Sequence, residues 1–156
     1  MVNLLIGLHA ALGEIGILSF IWVFVETLNP DIRKINRSKI AALLGIIFIF
    51  ASWFVGGYYY VDDYGGNVNH VIKQGPQPWA HDIFMETKEH VFIFLPFLSI
   101  LLLFMLMKYG NELAENKNAR KAVLLICFMG FVIGILMLGM GYAISSGARA
   151  AFEVGT

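Results

Sequence analysis

The amino-acid sequence predicts an all-α integral membrane protein that folds as one four-helix bundle over residues 1–156. Of these residues, 58% are hydrophobic and only 14% are charged, whereas about a quarter of a soluble domain is charged. Four apolar segments each have roughly the 20 residues that cross a bilayer. Such segments satisfy their backbone groups in lipid only as helices. The predicted helices cover about residues 4–28, 40–61, 80–109 and 122–145.

The first predicted helix carries polar groups within its apolar run. His9, Gly13 and Gly16 are spaced by four and three residues and therefore share one helix face. Glu14 lies five residues after His9, which is about 140° around the helix. A carboxylate at this depth in a bilayer is costly. We therefore expect Glu14 to be protonated, paired with a histidine or facing a water-filled cavity.

The second and fourth helices carry stripes of small residues. Gly45, Ser52 and Gly56 lie on the second helix, and Gly130 and Gly134 lie on the fourth. Small residues let membrane helices approach closely. These stripes therefore predict helix–helix contacts.

Between the second and third helices, the chain from about residue 62 to residue 78 has strong turn chemistry and no regular period. We expect an irregular loop that lies over one mouth of the bundle. The aromatic residues around it are typical of an interfacial belt. These residues are Tyr58, Tyr59, Tyr60, Tyr64 and Trp79.

The third helix opens with the densest group of ionisable residues in the chain, between Trp79 and His90. On an α-helix, Asp82, Glu86 and His90 share one face because they are four residues apart. Pro96 is expected to bend this helix just below His90.

The basic residues predict the orientation in the membrane. Eight of the eleven Lys and Arg residues flank the first and third connections: Arg33, Lys34, Arg37, Lys39, Lys108, Lys117, Arg120 and Lys121. Because two crossings separate these connections, both lie on one side, and the positive-inside bias makes that side cytoplasmic. Both termini are then on the outer (periplasmic or extracytoplasmic) side of the plasma or inner membrane. All four histidines fall near that side.

One hypothesis is a haem b held between helices. Imidazoles on facing helices are suitable axial ligands, and His9 and His90 lie at similar predicted depth. Gly13 and Gly16 would leave room for the macrocycle. Asp82, Glu86 or Glu14 would orient an imidazole through its second nitrogen. No CxxCH attachment motif is present, so the haem would be noncovalent.

A second hypothesis is a directly bound transition metal ion, because imidazole and carboxylate ligands suit iron, zinc or copper. The candidate ligands are His9, Glu14, His81, Glu86, Glu89 and His90. A third hypothesis is structural, with each histidine bonded to a neighbouring helix or ion pair.

The function expected from these patterns is electron transfer by a membrane protein that binds a redox cofactor, haem b or a metal ion. Its expected partners are membrane lipid, a quinol and an outer-surface redox protein. The alternative is a non-catalytic subunit of a larger membrane complex with a structural metal or lipid site. The zero net charge gives no attraction to nucleic acid.

Overall fold

The computed structural model describes residues 4–155 and contains four long helices. They are α1 (Leu4–Leu28), α2 (Ile32–Gln74), α3 (Ala80–Glu112) and α4 (Lys117–Val154). Each is long and apolar enough to cross a membrane, and the described residues contain no strand. The predicted all-helical architecture with four helices of membrane-spanning length is therefore confirmed for the described residues.

The four helices form an up-and-down ring. α1 packs against α2 and α4, and α3 packs against the same two helices from the other side. The short connections 29–31 and 113–116 therefore lie at one end of the bundle, which we call the basic end because of the lysines and arginines around it. The connection 75–79, the start of α1 and the end of α4 lie at the other end, which we call the acidic end.

The second and fourth helices begin earlier than the sequence analysis predicted, because side-chain caps start them outside the apolar run. The Asp31 carboxylate accepts hydrogen bonds from the backbone N–H groups of Arg33 and Lys34, at 2.8 and 2.9 Å. The Asn116 side chain accepts one from the N–H of Ala119. Such caps satisfy N–H groups that have no partner within the helix. Counting only apolar residues therefore missed these polar first turns.

The prediction of an irregular loop over residues 62–78 was wrong for residues 62–74, and only the end of that range is a connection. The helix continues through a π-helical segment, Tyr60–Val68, and a further α-helical turn, Asn69–Gln74. It is stabilised by a second hydrophobic core, the cap cluster, in which α2, α3 and α4 meet. The cap cluster consists of Tyr64, Val68, Ile72, Ala80 and Ile144. Burial of this apolar stripe outweighs the weak helix propensity of the two glycines at 65 and 66.

The predicted small-residue contacts are present. A Cβ atom added to Gly16 would lie 2.7 Å from Cγ1 of Ile49, and one added to Gly130 would lie 2.5 Å from Cε1 of Phe20. Both are closer than real Cβ contacts allow. Glycine is thus required for α1 to approach α2 and α4 this closely.

The α-helical pattern of α3 is interrupted just before Pro96, where the sequence predicted a bend. The α-helical segments Glu86–Val91 and Phe94–Tyr109 are separated by two residues, one turn before the proline. Proline has no N–H to donate to the carbonyl of Phe92. That carbonyl instead accepts the N–H of Leu95 at 3.0 Å.

A cavity at the acidic end of the bundle

A cavity of about 720 Å³ lies between the four helices toward the acidic end. This volume is within the range of small-molecule sites, about 300–1,000 Å³. The part nearest the middle of the bundle is apolar, and it is lined by Ile17, Ile49, Leu95, Pro96, Met137 and Leu138.

The part of the cavity wall nearer the acidic end is aromatic and polar. Its polar lining residues are His9, Ser52, Tyr59, Tyr60, Tyr64, Lys88, Glu89, Tyr142, Ser145 and Arg149, with Glu14 one turn deeper than His9. Two acidic and two basic side chains face the cavity, so its formal charges balance when His9 is neutral. The cavity is thus amphipathic along the bundle axis, with no net charge in its wall.

His9 is held by α2 in one tautomer. Its Nδ1 lies 2.8 Å from the backbone carbonyl of Ser52, while the Ser52 hydroxyl donates to the His9 carbonyl at 2.8 Å. Because a carbonyl can only accept, Nδ1 carries the proton and Nε2 keeps its lone pair. The ring lies against Gly56, where an added Cβ would be 2.5 Å from Nδ1. Nε2 has no hydrogen-bond partner between residues 4 and 155.

Lys88 and Glu89 bring charge into the cavity from α3. The Lys88 side chain reaches across to α4, since its Nζ would be 3.3 Å from a Cβ added to Gly141. No carboxylate in the described residues forms an ion pair with it. One oxygen of Glu89, Oε1, is buried without a hydrogen-bond partner in the same part of the chain. This oxygen can therefore accept a hydrogen bond from a molecule bound in the cavity.

Tyr64, His81 and Glu86 form a second polar group beside the cavity. The Tyr64 hydroxyl lies 2.8 Å from Nδ1 of His81, and the two rings are stacked with 5.9 Å between their centroids. Nε2 of His81 lies 3.5 Å from Oε1 of Glu86. Tyr64 is one of the cavity-lining residues.

The structure separates the two imidazoles that the haem hypothesis paired. His9 lines the cavity, whereas His90 is exposed, does not line it, and is hydrogen-bonded through Nδ1 to the Glu86 carbonyl of its own helix at 2.6 Å. The α-helical stripe of Asp82, Glu86 and His90 also does not lie along the cavity. The face of α3 that lines the cavity instead carries Met85, Lys88, Glu89 and Phe92.

Gly13 and Gly16 serve helix packing, which differs from the role that the haem hypothesis gave them. A Cβ added to Gly13 would lie 3.1 Å from Oγ of Ser52, and Gly16 packs against Ile49. Gly13 borders the cavity, but Gly16 is buried between α1 and α2.

The six candidate metal ligands lie in three separate parts of the structure. His9, Glu14 and Glu89 line the cavity, His81 and Glu86 lie 3.5 Å apart outside it, and His90 is exposed. Within residues 4–155, no three His, Cys, Asp or Glu side chains converge as a metal site.

The sequence analysis did not identify Ser52 or Lys88 as residues of the site. It interpreted Tyr64 only as part of an aromatic belt. The helical spacing of Tyr64, Val68 and Ile72 was the available signal for a buried tyrosine. Lys88 was overlooked because a lysine close in sequence to Glu86 and Glu89 is typical of a solvated helix surface. The Ser52 contact depends on the rotation of α2 about its axis, which the apolar pattern of a membrane helix does not fix.

Comparison with protein-family models, with curated proteins and with solved structures finds no match to this chain.

Proposed function

We propose that this protein binds one quinone-type molecule in the cavity and passes electrons between it and an outer-surface redox protein. The acidic end would face the outer side of the plasma or inner membrane, with both termini on that side. This orientation follows from the positive-inside bias, since the basic residues gather at the opposite end.

The observation that carries the proposal is the polarity of the cavity along the bundle axis. A membrane-soluble quinone has an apolar tail and a small polar head. The apolar wall around Ile49, Leu95 and Met137 is suited to the tail. The polar wall around Tyr60, Lys88 and the neighbouring ionisable groups is suited to the head.

The charge balance of the wall favours a neutral head over a phosphate. Lys88 and Arg149 would attract an anion, but Glu14 and Glu89 oppose it in the same cavity. A quinone carbonyl accepts hydrogen bonds, which the Tyr59 hydroxyl and the Lys88 ammonium can donate. A quinol hydroxyl donates, and Oε1 of Glu89 and Nε2 of His9 are free to accept.

Fluorescence quenching tests the binding. Trp53 lines the cavity, so a quinone bound there should quench tryptophan emission. We expect saturable quenching when decylubiquinone is titrated into the protein in nanodiscs. Lys88→Met should weaken the binding about tenfold, equivalent to loss of one hydrogen bond to a charged group of about 1.4 kcal/mol. Lys73→Met is the matched control, because Lys73 is exposed and at the same end of the bundle.

Absence of saturable quenching in the wild type would contradict the proposal. Equal affinities for Lys88→Met and Lys73→Met would show that the quinone does not bind with its head at Lys88. Extraction of the membrane-purified protein and mass spectrometry of the extract would identify a co-purified ligand directly.

A haem b on His9 alone is the second candidate, and one observation favours it. Histidines that ligate a metal commonly donate their other ring N–H to a backbone carbonyl, as Nδ1 of His9 does to Ser52. A haem would give the purified protein a reducible Soret band that is lost in His9→Ala and kept in His90→Ala. A colourless protein without quinone binding would leave the interpretation as a non-catalytic subunit of a larger complex.

A further inference from the structure

Tyr64, His81 and Glu86 connect the cavity to the surface of the acidic end. Tyr64 lines the cavity and is 1% exposed, and His81 is 3% exposed. The Glu86 side chain is 53% exposed. The three groups therefore run from the cavity wall, through a buried imidazole, to a carboxylate in contact with solvent.

The π-helical geometry makes this connection. In an α-helix, residues five apart are about 140° from each other around the axis. π-helical segments pair residue i with i+5 in their backbone hydrogen bonds and often occur at functional sites. The segment Ala80–Met85 precedes Glu86 directly and brings Nε2 of His81 to 3.5 Å from the carboxylate. Tyr64 belongs to the other π-helical segment, Tyr60–Val68.

We propose that Tyr64, His81 and Glu86 form a proton path that carries a proton from a quinol head group in the cavity to the outer surface. This inference rests on the proposed function. On oxidation, the quinol gives two electrons to two one-electron acceptors at the outer surface and releases two protons.

One proton follows the path in a concerted shift. The quinol hydroxyl proton moves to the Tyr64 oxygen, the Tyr64 proton moves to Nδ1 of His81, and the Nε2 proton of His81 moves to the Glu86 carboxylate. Glu86 then releases its proton to water, and exchange of the His81 ring protons with water restores the starting tautomer. The second proton goes to Glu89, whose Oε1 has no partner in the described residues.

The groups around the path are consistent with this role. Tyr59 and Tyr60 of α2 and Glu89 of α3 act electrostatically on Tyr64, and Arg149 of α4 lines the same cavity. The part of α4 that contacts Ala80 carries no charged side chain, since Gly147 packs there. The carboxylates on the α3 side would thus stabilise a proton that leaves the cavity in that direction.

The test separates binding from proton transfer. The protein in nanodiscs is loaded with decylubiquinol and mixed by stopped flow with ferricyanide and phenol red in weak buffer. Ferricyanide absorbance reports electrons, phenol red reports protons, and tryptophan quenching by decylubiquinone reports affinity. His81→Asn keeps a hydrogen-bonding group beside Tyr64 but removes the titrating ring. Glu86→Gln changes only a half-exposed residue, and Asp82→Asn is the control because Asp82 is exposed and outside the path.

We expect His81→Asn to slow quinol oxidation about tenfold or more and Glu86→Gln about threefold or more, with affinity within about twofold of wild type. Asp82→Asn should behave as wild type. Wild-type oxidation rates in both path variants, with binding retained, would overturn the proton path alone. A wild-type protein that does not bind decylubiquinone would overturn the proposed function and the path with it. Binding without oxidation would overturn the electron-transfer step and the path.

Discussion

The Tyr64 hydroxyl lies 2.8 Å from Nδ1 of His81, across the boundary between α2 and α3. Each residue belongs to a π-helical segment at the acidic end, and each is almost completely buried. The hydrogen bond therefore joins the two segments that bring polar groups to the cavity wall, within a cluster that is otherwise apolar.

Loss of this hydroxyl should destabilise the protein. In Tyr64→Phe, Nδ1 of His81 stays buried without its partner, which costs about 1–3 kcal/mol. Thermal unfolding in detergent micelles should show a lower midpoint. Tyr58→Phe is the matched control, because Tyr58 is 61% exposed. Equal midpoints for the two variants would mean that the hydrogen bond does not form in the folded protein.

Gly56 should be required for the position of the His9 ring. An alanine there would place its Cβ 2.5 Å from Nδ1 and 2.7 Å from Cε1 of His9, so the ring has to move away from Ser52. We expect the ¹⁵N signals of His9 to lose the Nδ1–H tautomer in Gly56→Ala. Gly57→Ala should leave them unchanged, since nothing lies within 4 Å of its added Cβ. The same His9 spectrum in both variants would refute the contact.

The packing of α4 on α1 should depend on Gly130. In Gly130→Ala the new Cβ meets the Phe20 ring at 2.5 Å, and overpacking of this kind costs about 1–3 kcal/mol. Gly139→Ala on the same helix meets nothing within 4 Å and serves as the control. Unfolding of both variants in detergent measures the difference. A Gly130→Ala protein as stable as Gly139→Ala would contradict this helix contact.

The orientation can be tested by labelling with an impermeant thiol reagent. Single cysteines are introduced at Lys73, at the acidic end, and at Asn118, at the basic end, both exposed. The native Cys127 is buried and should stay unlabelled. In intact cells we expect Lys73→Cys to react and Asn118→Cys to react only after permeabilisation. The reverse pattern would place the cavity at the cytoplasmic side.

The connection between α1 and α2 should weaken in acid. The backbone N–H groups of Lys34 and Arg33 hold the pKa of the Asp31 carboxyl below its usual value of 3.8. The charged form is therefore favoured in the folded protein. The stability it contributes is present above that usual pKa and is lost as pH falls through the lower, folded-state pKa.

Asp31→Asn provides the test, because asparagine caps a helix without titrating. Unfolding midpoints of wild type and variant, measured from about pH 5 to about pH 2.5, should diverge below about pH 4 as the wild type loses its cap. A constant difference over this range would exclude a contribution from Asp31 titration.

The sequence predicted the number, order and approximate position of the helices because lipid-spanning segments need about 20 apolar residues. α1 was predicted with its observed bounds, Leu4–Leu28. The helical extensions at the acidic end were missed, because their stability comes from contacts between α2, α3 and α4 that no single segment reveals. The small-residue stripes correctly indicated close helix contacts.

The site was harder to predict. His9 was identified as a polar group inside the bundle, and it does line the cavity. His90 was paired with it because the two residues lie at similar predicted depth on the first and third helices. The buried imidazole of α3 is instead His81, which lies in the π-helical segment Ala80–Met85. Local departures of this kind depend on tertiary contacts.

The cap cluster draws residues from α2, α3 and α4 but none from the described part of α1. Its apolar side chains Val68 and Ile144 line the cavity toward the acidic end. A ligand that enters from water at the acidic end would have to displace these apolar side chains. Lateral diffusion within the bilayer, past the flank that α1 borders, is therefore the expected route of entry, and it would restrict access to molecules that already partition into the membrane.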